Sequence, residues 1–191
     1  MLAAGSSSRL GRPKQLLPYM GQPLLRAVAS EACASRCAPV GVVVRVDDAA
    51  ARAALAGLSV TFITNTDSAE GIASSIRAAV AWAAHDEQCD GVVLLACDQP
   101  ALRSEHVDAL VARAAADALA HTRAHAVASH YADIIGIPAF FPRSLFRALA
   151  ALRGASGARE LLRAEPTVLI VDWPEGAFDV DTPQDAARLP G

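Results

Sequence analysis

The 191-residue sequence is almost without lysine: sixteen of its 17 basic residues are arginine, and Lys14 stands alone. An excess of positive charge is also missing, since 20 acidic residues leave a formal net charge of −3. That balance excludes a general binder of nucleic acid or anionic membrane, because both need a basic footprint. No apolar run is long enough to span a bilayer. The strongest, at residues 42–46 and 92–97, fall far short of the roughly 20 residues required. Polar residues interrupt the amino-terminal stretch before a secretory core forms, so the chain is expected to be soluble and cytoplasmic. The four cysteines, at 33, 37, 89 and 97, form no CxxC pair, which argues against a zinc knuckle or redox motif and for free thiols packed as small hydrophobes. His121 and His125 share a helical spacing, but with no Glu between them and no evident third ligand they read as a half-exposed surface pair.

What is present is enough apolar material for a folded core. Hydrophobic residues make up 53% and charged residues 19%, which excludes a disordered chain. The length suits one domain, residues 1–191. β-branched clusters mark strands at residues 40–46, 60–64, 92–96 and 168–171, and residues 1–4 look like the tail of another. Helical patterns run over 24–35, 47–58, 72–84 and 104–119, with Ser104 the expected N-cap of the last. Two extended stretches, 126–131 and 134–141, flank a turn. Short helical pieces follow at 145–152 and 158–164, and residues 177–180 are extended. Thr182-Pro-Gln-Asp185 reads as a helix start with Thr as cap and Pro at the first position. Strands alternating with helices predict an α/β fold: a three-layer α/β/α arrangement on a mostly parallel, Rossmann-like sheet, with a late antiparallel strand. Ligands of such sheets bind at the carboxyl ends of the strands.

The loop after the first strand, LAAGSSSRLGRPKQLL at residues 2–17, has the ingredients of a phosphate cradle. Gly5 and Gly11 permit tight turns, Ser6, Ser7 and Ser8 bring hydroxyls, and Arg9, Arg12 and Lys14 bring charge. Its spacing fits neither GxGxxG nor the Walker GxxxxGK. The one lysine of an arginine-rich chain sits here, a compact charge on a flexible stem. Two acidic sites lie far away in sequence: Asp98 after the strand at 92–96, and Asp179 with Asp181 before the last helix, where alternation points both the same way.

The loop resembles the signature of the molybdenum cofactor nucleotidyltransferases, and more narrowly of the molybdenum cofactor cytidylyltransferases. Further blocks match in order: GIASSIR at 71–77, CDQP at 97–100, GIPAF at 136–140, GARELL at 157–162 and DVDTPQD at 179–185. The family's glycine-rich turn is missing at 132–136, and the first strand starts late. The resemblance implies the nucleotide-diphospho-sugar transferase type of fold. It also implies transfer of CMP from CTP to the terminal phosphate of a molybdopterin acceptor, with release of pyrophosphate. Under it, Mg2+ is held by Asp98 and Asp181, with Asp179 a further candidate. Lys14 and Asp98 act in catalysis with Arg9, which holds the β/γ-phosphates together with the loop amides. The nucleotide lies along Leu2, Ala3, Ala4, Gly5, Ser6, Ser7 and Lys14, and beside Gly71, Ser74 and Ser75. Gly136, Pro138, Phe140 and Phe141 read as structural rather than catalytic, with a further role as a wall on which the pterin stacks; the loop at 154–157 is expected to be a lid and Arg159 to meet the acceptor phosphate. The apo-molybdoenzyme or its chaperone is the expected protein partner. Two alternatives stay open: GTP or another phosphorylated acceptor on the same fold, and a silent nucleotide-binding regulatory or carrier module.

Overall fold

A computed structural model describes residues 1–7, 9–122 and 124–190. In chain order the elements are β1 (Pro18–Tyr19), β2 (Gln22–Pro23), α1 (Leu24–Ala34), β3 (Val40–Arg45), α2 (Ala49–Ala54), β4 (Val60–Asn65), α3 (Ile72–Ala84) and β5 (Gly91–Leu94). Then come α4 (Ser104–Ala120), β6 (Ala126–Tyr131), β7 (Ile134–Pro142), α5 (Phe146–Ala151), α6 (Ala158–Ala164), β8 (Val168–Asp172) and α7 (Pro183–Ala186). Among the described residues no helix is long and apolar enough to cross a membrane.

The sheet is built around the first four residues. Leu2 pairs in parallel with Val43 on one side and with Ala96 on the other, and this joins the parallel β3–β4 pair to the set ordered β5-β7-β6-β8. The ladder is carried by Ala3 N–H to Val43 O at 2.9 Å, Val43 N–H to Met1 O at 2.9 Å and Leu2 N–H to Leu95 O at 2.8 Å. β7 runs antiparallel to both β5 and β6, and β8 returns parallel to β6. The alternation of a two-faced strand then sorts the core. Met1, Ala3, Val42 and Val44 meet Leu25 and Val28 of α1, Ala51 of α2 and Val107 of α4. Leu2, Ala4 and Val43 face Ile76 and Val80 of α3, Leu149 of α5 and Leu162 of α6. Helices on both faces give the three layers expected from the sequence.

Three local details differ from the sequence reading. The helix expected at 47–58 is shorter, Ala49–Ala54, because the Asp48 side chain accepts the Ala51 N–H at 3.0 Å and fixes the start. Ser104 does not cap α4. Its N–H instead donates to Glu31 Oε2 at 2.9 Å, so a carboxylate of α1 satisfies the orphan amide. The stretch expected to be extended at 177–180 starts one residue later, because Ala177 closes a 3-10 turn, Pro174–Ala177, and Phe178 is the first extended residue. The late hairpin, which lacks the expected glycines, turns on Ala132 and Asp133, both at positive φ (47° and 59°), between the paired residues Tyr131 and Ile134. Two central residues at positive φ match the twist of the flanking strands, and that pairing constrains them to a conformation glycine or asparagine would adopt at lower cost.

α4 is tied to the far side of the sheet through His106. Its ring stacks on Trp173 with centroids 4.7 Å apart, and its Nε2 donates to Ser129 Oγ at 2.7 Å, the Ser129 hydroxyl itself donating to Pro138 O. Burial lowers the His106 pKa from 6.5 to about 4, the nearby Glu175 opposing weakly. The fold therefore favours neutral imidazole, and the unfolded chain takes up the extra proton as pH falls. Stability from this group is present above pH 6.5 and is lost as pH drops through about 4. Denaturant titrations of wild type and His106→Gln across that window are expected to differ in slope by close to one proton, the wild type being the steeper.

Candidate active site

The loop after residue 4 is closed on itself by Ser7. The Ser7 carbonyl accepts the N–H groups of Leu10 and Gly11 at 3.0 and 3.1 Å. Its hydroxyl accepts the Lys14 N–H at 3.0 Å and donates to Gln15 Oε1 at 3.4 Å. Gly11 sits at φ 73°, where a side chain would be strained. Buried Leu10, Gln15 and Leu17 anchor the two ends of the turn, while Gly5, Ser6, Arg9 and Arg12 are exposed. Ser8 lies outside the described residues.

Lys14, so anchored, reaches the carboxyl end of the central strands. Asp98 follows the end of β5 and the bridge at Ala96. The segment carrying Asp179 and Asp181 is bound to it directly, since Val180 N–H donates to Asp98 O at 3.0 Å and the Val180 side chain is fully buried. The flanking residues are thereby held outward beside Asp98. Thr182 and Asp185 complete the arrangement with a reciprocal capping box at the start of α7, as the sequence predicted. The Asp185 carboxylate accepts the Thr182 N–H at 2.9 Å and the Asp181 N–H at 3.3 Å.

The outcome is one cation between two carboxylates. Lys14 Nζ donates to Asp98 Oδ2 and, at 2.9 Å, to Asp181 Oδ1. Arg9 closes on the other Asp181 oxygen at 2.6 Å. Burial works against the Lys14 charge, but the Asp98 charge and the hydrogen bonds to Asp98 and Asp181 outweigh it and raise its pKa. Asp179 titrates above the ordinary carboxylate range, through burial first and then the charges of Asp181 and Asp98. Cys97, immediately before Asp98, is pushed up to about 12 by burial and by that aspartate, so it is a packed thiol rather than a nucleophile.

These groups suit a hard divalent cation. Two carboxylates from distant parts of the chain already converge on a single positive charge, both partly open to solvent, and Mg2+ or Mn2+ takes such oxygen ligands while keeping waters and phosphates for the rest.

Other sequence-predicted residues fall around this centre in different ways. Leu2, Ala3 and Ala4 are buried in the sheet and offer backbone only. Ser74 and Ser75 are buried, and both hydroxyls accept from Asn65 Nδ2, at 2.9 and 3.0 Å, while Ser74 also donates to Gly71 O at 2.8 Å. Their hydrogen bonds thus organise the start of α3. Gly71 has no room for a side chain, since a Cβ there would meet Gly154 O at 2.5 Å. The loop expected to be a lid is docked on α3: Glu70 accepts the Gly154 N–H at 2.9 Å and pairs with Arg77, and Arg77 donates to Leu152 O at 2.9 Å. Phe141 is fully buried, in the core cluster beside α5, and so is structural rather than a wall.

Sequence reading missed two buried amides beside the charged centre, Gln15 and Gln99. Gln99 Nε2 donates to Ile137 O at 3.2 Å, while Gln99 Oε1 and Gln15 Nε2 are buried with no hydrogen-bond partner among the described residues. Both lie within the quoted motifs, and a glutamine held in a mostly apolar environment was the available signal. A cavity of about 840 Å3, by contrast, opens at the amino ends of the strands among Gly41, Trp82, Gly91 and Phe140, away from these groups.

Removing the Lys14 charge leaves Asp98, Asp179 and Asp181 facing one another. Lys14→Met is expected to cost about 1–3 kcal/mol of stability in the absence of divalent metal. Millimolar Mg2+ is expected to raise its melting temperature more than that of wild type, as calorimetry of both proteins would show.

A profile of the MobA-like NTP transferase domain family matches residues 1–168. The chain is 30% identical over 199 residues to the purine catabolism protein PucB of Bacillus subtilis, covering 96% of this chain and 91% of that protein. It is 32% identical over 195 residues to nicotine blue oxidoreductase of Paenarthrobacter nicotinovorans, covering 99% and 94%. Among solved structures it is similar to Rv0371c of Mycobacterium tuberculosis, at a TM-score of 0.78 and 30% identity over 98% of this chain and 94% of that one. A complex of Rv0371c with manganese superposes at a TM-score of 0.75 with 29% identity, covering 98% and 94%.

Proposed function

This chain belongs to the MobA-like NTP transferase domain family, and from that premise we propose that it transfers CMP from CTP to the terminal phosphate of a molybdopterin-type acceptor. It is an NTP-dependent nucleotidyltransferase of that family; the triphosphate and acceptor are the proposal. The observation that carries it is the Lys14 ammonium lodged between Asp98 and Asp181, with Arg9 on the same carboxylate. The relatives' names point to different substrates, so the proposal rests on this chain's own groups and motifs.

Nucleotidyl transfer asks a protein for position and charge neutralisation more than for covalent chemistry. The acceptor phosphate attacks the α-phosphorus in line, the bond to the bridging oxygen breaks, and pyrophosphate departs with the electron pair. The attacking monoester is already ionised near neutral pH, so no general base is needed. Lys14 swings from its carboxylates to the α/β-phosphates, where charge grows as the bond breaks. Arg9 and the exposed backbone around Gly5 and Ser6 hold the outer phosphates. Asp98 and Asp181 are the residues that would hold Mg2+, which when bound supplies neutralisation of phosphate charge.

The base lies against the backbone of residues 2–4, beside the Asn65–Ser74–Ser75 cluster, and CTP is preferred because the chain's motifs resemble the cytidylyltransferase branch. The acceptor approaches past Tyr131 and Gln99. A Cβ at Gly136 would meet the Tyr131 hydroxyl at 2.8 Å and Arg159 Nη2 at 3.7 Å, so these groups crowd one spot. Arg159 there suits an anionic acceptor.

Pyrophosphate release with Mg2+ and molybdopterin acceptor is expected with CTP and to be at least about tenfold slower with GTP. Asp98→Asn is expected to abolish it with little loss of fold, and Lys14→Met to lower kcat more than it raises KM, the mark of a contact made in the transition state. Faster release with GTP would transfer the reading to a guanylyltransferase. Release with no triphosphate would reduce it to a nucleotide-binding carrier.

A further inference from the structure

The carboxy-terminal end of α4 gathers three metal-ligating side chains that the nucleotide site does not use. Asp117, His121 and His125 are spaced i, i+4, i+8. The helix ends at Ala120 and the chain turns back, so His125 returns over the last turn rather than continuing along it. His121 Nδ1 lies 2.9 Å from Asp117 Oδ1. His125 Nδ1 lies 3.1 and 3.0 Å from the two Asp117 oxygens. One ligand atom from each residue falls within 4.8 Å of every other. The rings meet edge to face with centroids 5.3 Å apart.

Burial differs sharply across the trio. The Asp117 side chain is 1% exposed, His125 24% and His121 56%, so the cluster is closed by protein behind the carboxylate and open to solvent across the imidazoles. The backbone N–H of His125 also donates to Asp117 Oδ2, at 2.8 Å. That hydrogen bond leads the causes that keep the Asp117 pKa below the ordinary carboxylate value, with the two imidazoles adding to it against the cost of burial. The backbone N–H and the two imidazoles together orient the carboxylate toward the rings.

We propose that Asp117, His121 and His125 form a binding site for a divalent transition metal of zinc type, clipping the end of α4 to the segment that leads into β6. The chemistry of the donors sets the class: two imidazoles and one carboxylate suit Zn2+ and its borderline neighbours, while Mg2+ prefers oxygen alone. Bonds of about 2.0–2.2 Å in a tetrahedron put neighbouring donors roughly 3.4 Å apart. The histidine–aspartate separations of 2.9–3.1 Å open by a few tenths of an ångström to reach this, and the three ligand atoms already lie within 4.8 Å of one another. At present both Nδ1 atoms point at the carboxylate, so their protons occupy the place the metal would take. On binding, each neutral ring carries its proton on Nε2 instead, and water completes the fourth position on the solvent side. The site is independent of nucleotidyl transfer. α4 begins beside the loop after Asp98, and its 17 residues carry the cluster about 25 Å away to the other end of the sheet.

Cobalt(II) titration of the full chain provides the test, because four-coordinate cobalt with imidazole ligands absorbs intensely in the visible and six-coordinate, all-oxygen cobalt at Asp98 and Asp181 absorbs weakly. One equivalent is expected to give intense bands that Zn2+ bleaches. The bands are expected to survive in Asp98→Asn/Asp181→Asn and to vanish in His121→Ala/His125→Ala. Zinc affinity in the histidine variant is expected to drop by at least about a hundredfold, with circular dichroism and nucleotidyl transfer unchanged. Absence of intense bands in the wild type, or bands that persist without the two histidines, would overturn the assignment.

Discussion

A single buried-edge ammonium holds three distant parts of this chain to one another. Lys14 is set by the Ser7-closed loop, Asp98 by the end of the central strand, and Asp181 by a strap bonded to Asp98 through Val180. Without the ammonium, the same backbone would bring three carboxylates together with only the exposed Arg9 on the outer oxygen of Asp181 to offset them. The raised pKa of Lys14 and that of Asp179 express the two sides of one balance: attraction strong enough to overcome burial at the lysine, and leftover repulsion at the unpaired aspartate. A site so arranged is a closed electrostatic circuit in the free protein.

The scaffold supports this through ordinary devices. The first strand is only a few residues long, yet it occupies the centre of the sheet and sorts alternate side chains to the two helical layers. Glu31 completes the amino end of α4 from a neighbouring helix. Asn65 binds two serines at the start of α3, and Glu70 with Arg77 fastens the 152–157 loop to the same place. These polar contacts rigidify the rim from which the central charges project.

Much of the fold was legible because it rests on local pattern. The β-branched runs of β3 and β4, the apolar spacing of α3 and the Thr182–Asp185 box are each written in a few adjacent residues. The nearness of Lys14 to Asp98 and Asp181 was legible only through composition and family resemblance, since no local rule links residues 14, 98 and 181. What escaped were contacts across elements. Ser104 looked like a cap until Glu31 arrived from another helix. Ser74 and Ser75 looked free until Asn65 claimed them. Asp117 was not read as a partner of His121 and His125, although its i, i+4, i+8 spacing to them was there to be read. The turn at Ala132 and Asp133 defied its signal because the paired strands impose a backbone that neither residue favours alone.

The strap at residues 179–181 has a consequence for how the molecule comes into being. During translation from the amino terminus, Lys14 and Asp98 emerge long before their third companion. The sheet and its helical layers have their sequence in hand while the charge constellation is still incomplete. The charge constellation therefore closes only once Asp181 has been made, and a chain released before that point lacks the carboxylate that locks the lysine in place.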